Sequence, residues 1–209
     1  MAPPVESLLK DYEIDLSLVE RIAHRKYKSP LVIVEPDPSW PQMFALAKAR
    51  IESALGDTAI SINHVGSTSV PGLPAKAIID IDLTVKDIND EESYVPSLEK
   101  AGFHFLIREP AWHEHRFFCD YEPVPTNLHV WGPDCPEAER HKIFTDWLRR
   151  NENDRKLYED IKREAAKLSV EKGEGMNQYT TRKDNVIHGI LQRAFKDLGY
   201  IESARDDGR

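Results

Sequence analysis

Asp80 and Asp82 lie in the run IIDIDLTV at 78–85. Alternation puts Ile79, Ile81, Leu83 and Val85 on one strand face, and Asp80, Asp82 and Thr84 on the other. Carboxylates at i and i+2 on a strand sit ~6.6–7 Å apart, so both can reach one hard cation or two neighbouring ones. Mg²⁺ prefers oxygen ligands and usually binds one or two carboxylates together with substrate phosphates; Mn²⁺ suits similar ligands. Just upstream runs a loop, GSTSVPGLPAK, from Gly66 to Lys76. Gly66 permits close backbone approach, and backbone N–H groups with the hydroxyls of Ser67 and Thr68 suit phosphate oxygens. Lys76, between the loop and the aspartate strand, is placed to neutralise a triphosphate. A phosphate cradle followed by an acidic pair makes a coherent phosphoryl- or nucleotidyl-transfer site. The plain alternative is a turn followed by two solvated aspartates. The loop is not a P-loop, because Pro71 stands where Gly-Lys-Ser/Thr would begin, and neither Ser67 nor Ser69 has the flanking glycines of a nucleophile elbow.

The elements around this stretch follow from periodicity. Residues 59–65, AISINHV, alternate like a half-buried strand leading into the loop. Trp40, Phe44, Ala47, Ile51 and Leu55 form an apolar helical stripe, opened by Ser39 and ended by Gly56. LVIV at 31–34 reads as a short strand. A helix is expected over 91–101, stopped by Gly102, then strands at 103–108, 115–121 and 127–131. From about 137 the chain is charged, with apolar residues at helical spacing. That predicts two helices interrupted near Asn151–Asn153, and a last helix over about 180–197. Residues 1–30 read as an N-terminal helical arm, with Leu16, Val19, Ile22 and Ala23 at helical spacing and Pro30 closing it. Residues 31–197 read as one domain and 198–209 as a mobile tail. The class is α+β: a mixed sheet with flanking helices and a C-terminal helical region.

The chain has 209 residues, enough for one domain with a proper core, and a net charge of −8 from 28 Lys and Arg against 36 Asp and Glu. That balance argues against a nucleic-acid partner. No apolar run reaches the ~20 residues of a membrane span, so no membrane partner is expected. The N-terminus lacks a basic segment followed by an apolar one, and Cys119 and Cys135 make no disulfide framework; a cytoplasmic location is expected. The acidity is local. Residues 80–92 carry six acids against Lys86 alone, whereas 139–172 hold ten Lys and Arg against eight acids.

The spacing of Gly66-Ser67 and Asp80-Ile-Asp82 resembles the nucleotidyltransferase superfamily signature. Five longer stretches resemble one branch of it, the GrpB family (UPF0157): DPSWP at 37–41, INHVGSTSVPGLPAKAIIDIDL at 62–83, LHV at 128–130, RHKIFTDWLRRNENDRKLYEDIKREAAK at 140–167 and YTTRKDNVI at 179–187. The likeness covers about 32–195. It implies a nucleotidyltransferase-like, polymerase-β-type fold and a metal-dependent transferase using a nucleoside triphosphate. Gly66 and Ser67 would touch phosphate, and Asp80 and Asp82 would hold the metal. Superfamily transferases add a third carboxylate on a later strand. Here that strand is expected at 127–131, where Asn127 and His129 share a face and no carboxylate occurs. His129 matches the branch and can serve as ligand or base. Thr145 stands where the family commonly has Arg, removing one candidate phosphate-binding cation. Lys183, in YTTRK, matches the family segment and is read as facing the substrate.

The remaining candidates favour structure over chemistry. His64 is read as a packed histidine, and Arg140 and His141 as surface groups at the start of a helix. His113 and His115 on a strand would converge as a metal pair, but zinc wants three or four ligands. Three functions follow. One is a Mg²⁺-dependent nucleotidyltransferase acting from a nucleoside triphosphate on an unknown acceptor. Another is a non-catalytic module binding a nucleotide or phosphate ligand. The third is a scaffold whose arms pair two copies in a homodimer.

Overall fold

A computed structural model describes residues 2–12, 15–27 and 30–202. In chain order its elements are α1 (Val5–Leu9), β1 (Glu20–Arg21), α2 (Trp40–Leu55), β2 (Ala59–Val65), β3 (Ile79–Val85), α3 (Val95–Lys100), β4 (His104–Glu109), β5 (His115–Asp120), β6 (Thr126–Trp131), α4 (Pro136–Arg150), α5 (Glu152–Glu171) and α6 (Met176–Asp197). Six strands form one sheet in the order β1-β4-β5-β6-β3-β2. Among the described residues only β3 and β6 pair in parallel; the other neighbours are antiparallel.

Binary patterning decides what each sheet face meets. Ile79, Ile81, Leu83 and Val85 are buried with Leu128 and Val130 against Trp40, Ala47, Ile51 and Leu55 of α2 and Leu98 of α3. Fully burying one such side chain is worth about 1.5–3 kcal/mol, so this face fixes the register of β3. The opposite face carries Asp80, Asp82 and, in register beside them, Asn127 and His129. The C-terminal helices have a second core of their own, with Ile143 and Leu148 of α4, Tyr158 of α5, and Ile190 and Phe195 of α6. Asp154 staples these three helices, accepting from Trp147 at 2.6 Å and from Arg193 at 2.6 and 2.9 Å. Asn151 caps α5 by accepting from the Asp154 N–H, which is the interruption expected near that asparagine.

The expected strands at 103–108, 115–121 and 127–131 form within a residue or so at each end. Elsewhere the structure departs from expectation. Residues 16–23 are not a helix: a 3₁₀ turn at Leu16–Leu18, capped by Asp15, leads into β1 on β4. Of the expected stripe, Leu16 and Ile22 are exposed and Val19 and Ala23 half-buried, so its helical spacing buries no face. LVIV contributes a single bridge, Val34 to Ala75, because Leu31 and Ile33 pack on Ala165, Ala166 and Tyr179 rather than along a strand edge. The helix expected over 91–101 splits into a 3₁₀ turn at Glu91–Ser93 and α3. Tyr94 leaves helical geometry between them, and Pro96, with no N–H to donate, suits the first turn of α3. In the expected tail, Tyr200 and Ile201 fold back onto the helical core, and 203–209 lie outside the described residues.

Candidate functional site

Gly66 ends β2 in a left-handed conformation, φ +66°, and opens the 3₁₀ turn Ser67–Ser69. A Cβ here would lie 2.8 Å from the Asp80 Cβ and 2.9 Å from its Cγ. Glycine is therefore required twice over, for its conformation and for the space beside Asp80. Ser69 Oγ donates to the Gly66 carbonyl at 2.8 Å, and Arg149 from α4 donates two N–H groups to the Ser69 carbonyl at 3.0 and 3.2 Å. Thr68 turns inward: its hydroxyl donates to the Ile78 carbonyl and contacts His64 Nε2 at 3.0 Å. Of the expected phosphate-touching hydroxyls, Thr68 is thus committed to the protein. His64 stacks on Phe44 and is held down at about 4 by burial, as a packed histidine should be.

The two aspartates share a face but not an environment. Asp82 is 1% exposed. It accepts from Trp131 Nε1 at 2.9 Å, and His141 Nδ1 lies 2.9 Å from its other oxygen. Burial alone would raise Asp82, but His141 and Trp131 outweigh it and hold it below its ordinary value. Burial would in turn lower His141, and Asp82 pushes it up to about 9. His141 is therefore an imidazolium paired to Asp82 at neutral pH, not a surface group. His141 is half-buried, and Arg140 is buried near Glu137 and Asp11. Asp80 accepts from Asn127 Nδ2 at 2.7 Å. Burial raises it, against that hydrogen bond and the charges of Lys76, His141 and Lys183.

Beside Asp80 stand three lysines. Lys76 contacts Met176 Sδ at 3.3 Å. Lys183 lies 4.2 Å from the Tyr179 ring centroid, and Lys162 lies 4.7 Å from that of Tyr158. Lys162 also donates to the Pro74 carbonyl and is 2% exposed. Burial lowers all three, Lys162 to about 7 and Lys183 to about 8. Each feels the charge of Asp80, the one carboxylate common to all three; Lys162 also feels Glu159, and Lys183 also feels Asp184.

On the Asp82 side a polar chain crosses the sheet. Glu109 Oε2 lies 2.6 Å from His115 Nδ1, and His115 Nε2 lies 3.0 Å from His129 Nδ1. With Glu109 ionised, His115 must carry its proton on Nδ1, and His129 must then donate from its own Nδ1. His129 Nε2 is left with a bare lone pair. Burial keeps His115 down at about 3 and His129 well below its ordinary value, so both rings are neutral.

Asp80 and Asp82 were the expected Mg²⁺ or Mn²⁺ ligands. Among the described residues no three His, Cys, Asp or Glu side chains are set to hold a metal ion. The Asp82 oxygens already face Trp131 and a charged His141, and three ammonium groups attend Asp80. These residues do not fit a resident metal. Nor do His113 and His115 converge, because His113 and Glu114 take positive φ and only His115 lies in β5.

Gly66, Ser67, Lys76, Asp80 and Lys183 are therefore brought together, with Asp82 and His129 adjoining. Sequence reasoning missed Lys162, His141, His115 and Glu109. Lys162 had a signal: it falls on the stripe of Tyr158, Ala165 and Ser169, a charge on a buried helix face. The other three become partners only through pairing across the sheet or helix packing.

A six-stranded mixed sheet with helices on both faces is also the architecture of a solved structure, the conserved protein GrpB from Enterococcus faecalis. It matches with a TM-score of 0.67 at 23% identity, over 80% of this chain and 99% of that one. A family model described as GrpB protein matches residues 30–193. A UPF0157 protein of Halalkalibacterium halodurans is 43% identical over 81% of this chain and 85% of its own length. Another, of Streptomyces coelicolor, is 37% identical over 76% and 81%. A dephospho-CoA kinase of Mycolicibacterium paratuberculosis is 31% identical over 66% of this chain but only 40% of its own length. The chain belongs to the GrpB family, UPF0157. Among the described residues no helix is long and apolar enough to cross a membrane.

Proposed function

We propose that the cluster of cations around Asp80 binds a phosphate-rich ligand of the nucleotide class. The observation that carries this reading is the gathering of cations: Lys162 and Lys183 are buried and Lys76 half-buried, with Asp80 the one carboxylate common to all three and Glu159 and Asp184 each acting on one of them. Buried charges normally come with partners, and a chain of phosphates supplies the missing ones. The Gly66–Ser69 turn adds backbone N–H groups at the same place. A relative named dephospho-CoA kinase fits a phosphate-bearing ligand. Calorimetric titration with ATP and with inorganic tripolyphosphate, each in EDTA and in Mg²⁺, tests it. Saturable binding that survives EDTA is expected, and no binding of either anion under any condition overturns it.

A second reading has one observation in its favour, the bare Nε2 of His129 in register with Asp82. In a nucleotidyltransferase-like fold, an acceptor hydroxyl would lose its proton to this nitrogen as its oxygen attacks the α-phosphorus and pyrophosphate leaves. Pyrophosphate release from ATP is the assay. Asp80→Asn at wild-type turnover, or release unaltered in His129→Gln, would sink it.

A further inference from the structure

The family match begins at residue 30, yet one cation at the site comes from before it. Arg25 donates from Nη2 to Asn127 Oδ1 at 2.8 Å. The same Asn127 donates to Asp80. The Arg25 guanidinium also lies 5.3 Å from the Phe117 ring centroid, and its charge bears on both Lys76 and His129. Its partners here are a neutral amide and a ring; no described carboxylate pairs with it. Other arginines around the sheet are paired with acids: Arg50 with Asp120, Arg108 with Glu20 and Glu91, and Arg116 with Glu91.

The backbone around Arg25 is fixed on both sides. Upstream, Glu20 and Arg21 pair with Arg108 and Ile107, and the N–H groups of Ile22 and Ala23 both reach the Leu106 carbonyl. Downstream, the Lys26 N–H donates to the Tyr121 hydroxyl at 2.7 Å, and Lys26 Nζ lies 2.9 Å from His104 Nε2. The arm thus carries an exposed guanidinium from the sheet edge to the residue that holds Asp80. A planar fork with free N–H donors matches phosphate better than a lone ammonium does, and a fixed backbone reduces the ordering cost of using it.

We infer that Arg25 is a phosphate-binding residue of this site, so that the N-terminal arm completes a set of phosphate-binding groups that the family-matching region supplies only in part. The inference rests on the phosphate-ligand reading above and adds to it where the ligand's phosphates are met. Arg25→Gln and Arg25→Lys in the full chain test it, by titration with ATP and tripolyphosphate beside the wild type. Arg25→Gln should weaken both about tenfold or more, and Arg25→Lys, which keeps charge without the fork, should fall between. The ligand-free melting temperature of Arg25→Gln should stay at the wild-type value while its ligand-induced rise shrinks, which loss of an arm anchor would not produce. Wild-type binding with undiminished affinity in Arg25→Gln overturns the role of Arg25 and leaves the site's reading standing. A lower ligand-free melting temperature with unchanged affinity also overturns it, making Arg25 an anchor. Absence of binding in the wild type overturns both.

Discussion

Asp154 at the start of α5 and Asp80 in β3 are both carboxylates set among cations and aromatic rings, but their surroundings differ in kind. Asp154 takes a bidentate guanidinium from Arg193 and the indole N–H of Trp147, all from neighbouring helices. Burial would raise it; these donors hold it below its ordinary value. Its negative charge meets one positive charge, and the pair ties three helices. Asp80 takes one amide from Asn127 and is raised by burial, while three lysines beside it are all lowered. The first cluster is complete within the protein and serves stability. The second is left short of negative charge, which costs stability and suits a ligand that brings its own.

The comparison is broken most directly by emptying the complete cluster. Asp154→Ala should cost about 2–3 kcal/mol, because charged hydrogen bonds are lost and Trp147 Nε1 is left buried without an acceptor. A lowered denaturation midpoint reads this out, and an unchanged midpoint would deny the staple its role. Gly66→Ala comes next. A left-handed residue forced against Asp80 should cost about 1–3 kcal/mol and should lower phosphate affinity as the turn shifts. Lys183→Met sharpens the contrast: removing a buried charge should leave the melting temperature unchanged or raise it, while ATP binding weakens about tenfold or more. A stability loss with intact binding would make Lys183 a structural cation like Arg193.

The smallest effect is a pH slope. Lys162 at about 7 and Lys183 at about 8 lie below the ordinary 10.5. Between those values the unfolded chain holds more protons than the folded one, so these lysines make stability rise with pH from about 7 upward. Affinity for phosphate should run the other way, falling as pH climbs past about 8. Chemical denaturation and titration at pH 6.5 and 9 compare the two slopes, and Lys183→Met should flatten both.

Much of this was legible in the chain because it is local. The alternation of 79–85 places Asp80 and Asp82 together from sequence alone, and Gly66 is readable as a close approach. The strand at 127–131 was expected to lie where a superfamily carboxylate would, and the register sets Asn127 opposite Asp80 and His129 opposite Asp82. What stayed hidden depends on tertiary placement. His141 follows a proline-led helix start and resembles any surface histidine until α4 docks on Asp82. Glu109 and His115 meet only because β4 and β5 pair. The arm misled because Leu16, Val19 and Ile22 keep helical spacing, whereas its anchoring comes from backbone groups on β4, which side-chain periodicity does not encode.

Because β3 and β6 run parallel, no hairpin can join them. The chain must lay down α3, β4 and β5 and return before His129 comes level with Asp82. Closing a loop of that length carries an entropy cost of about 3 kcal/mol, recovered only when the sheet forms as a whole. Such long-range pairing is slow and comes late in folding. Half-folded molecules would display the Gly66 turn and both aspartates without the neighbours that set their charge. Competence to bind would then appear abruptly at the end of folding, and a peptide spanning 62–85 would remain inert however faithfully it carries the motif.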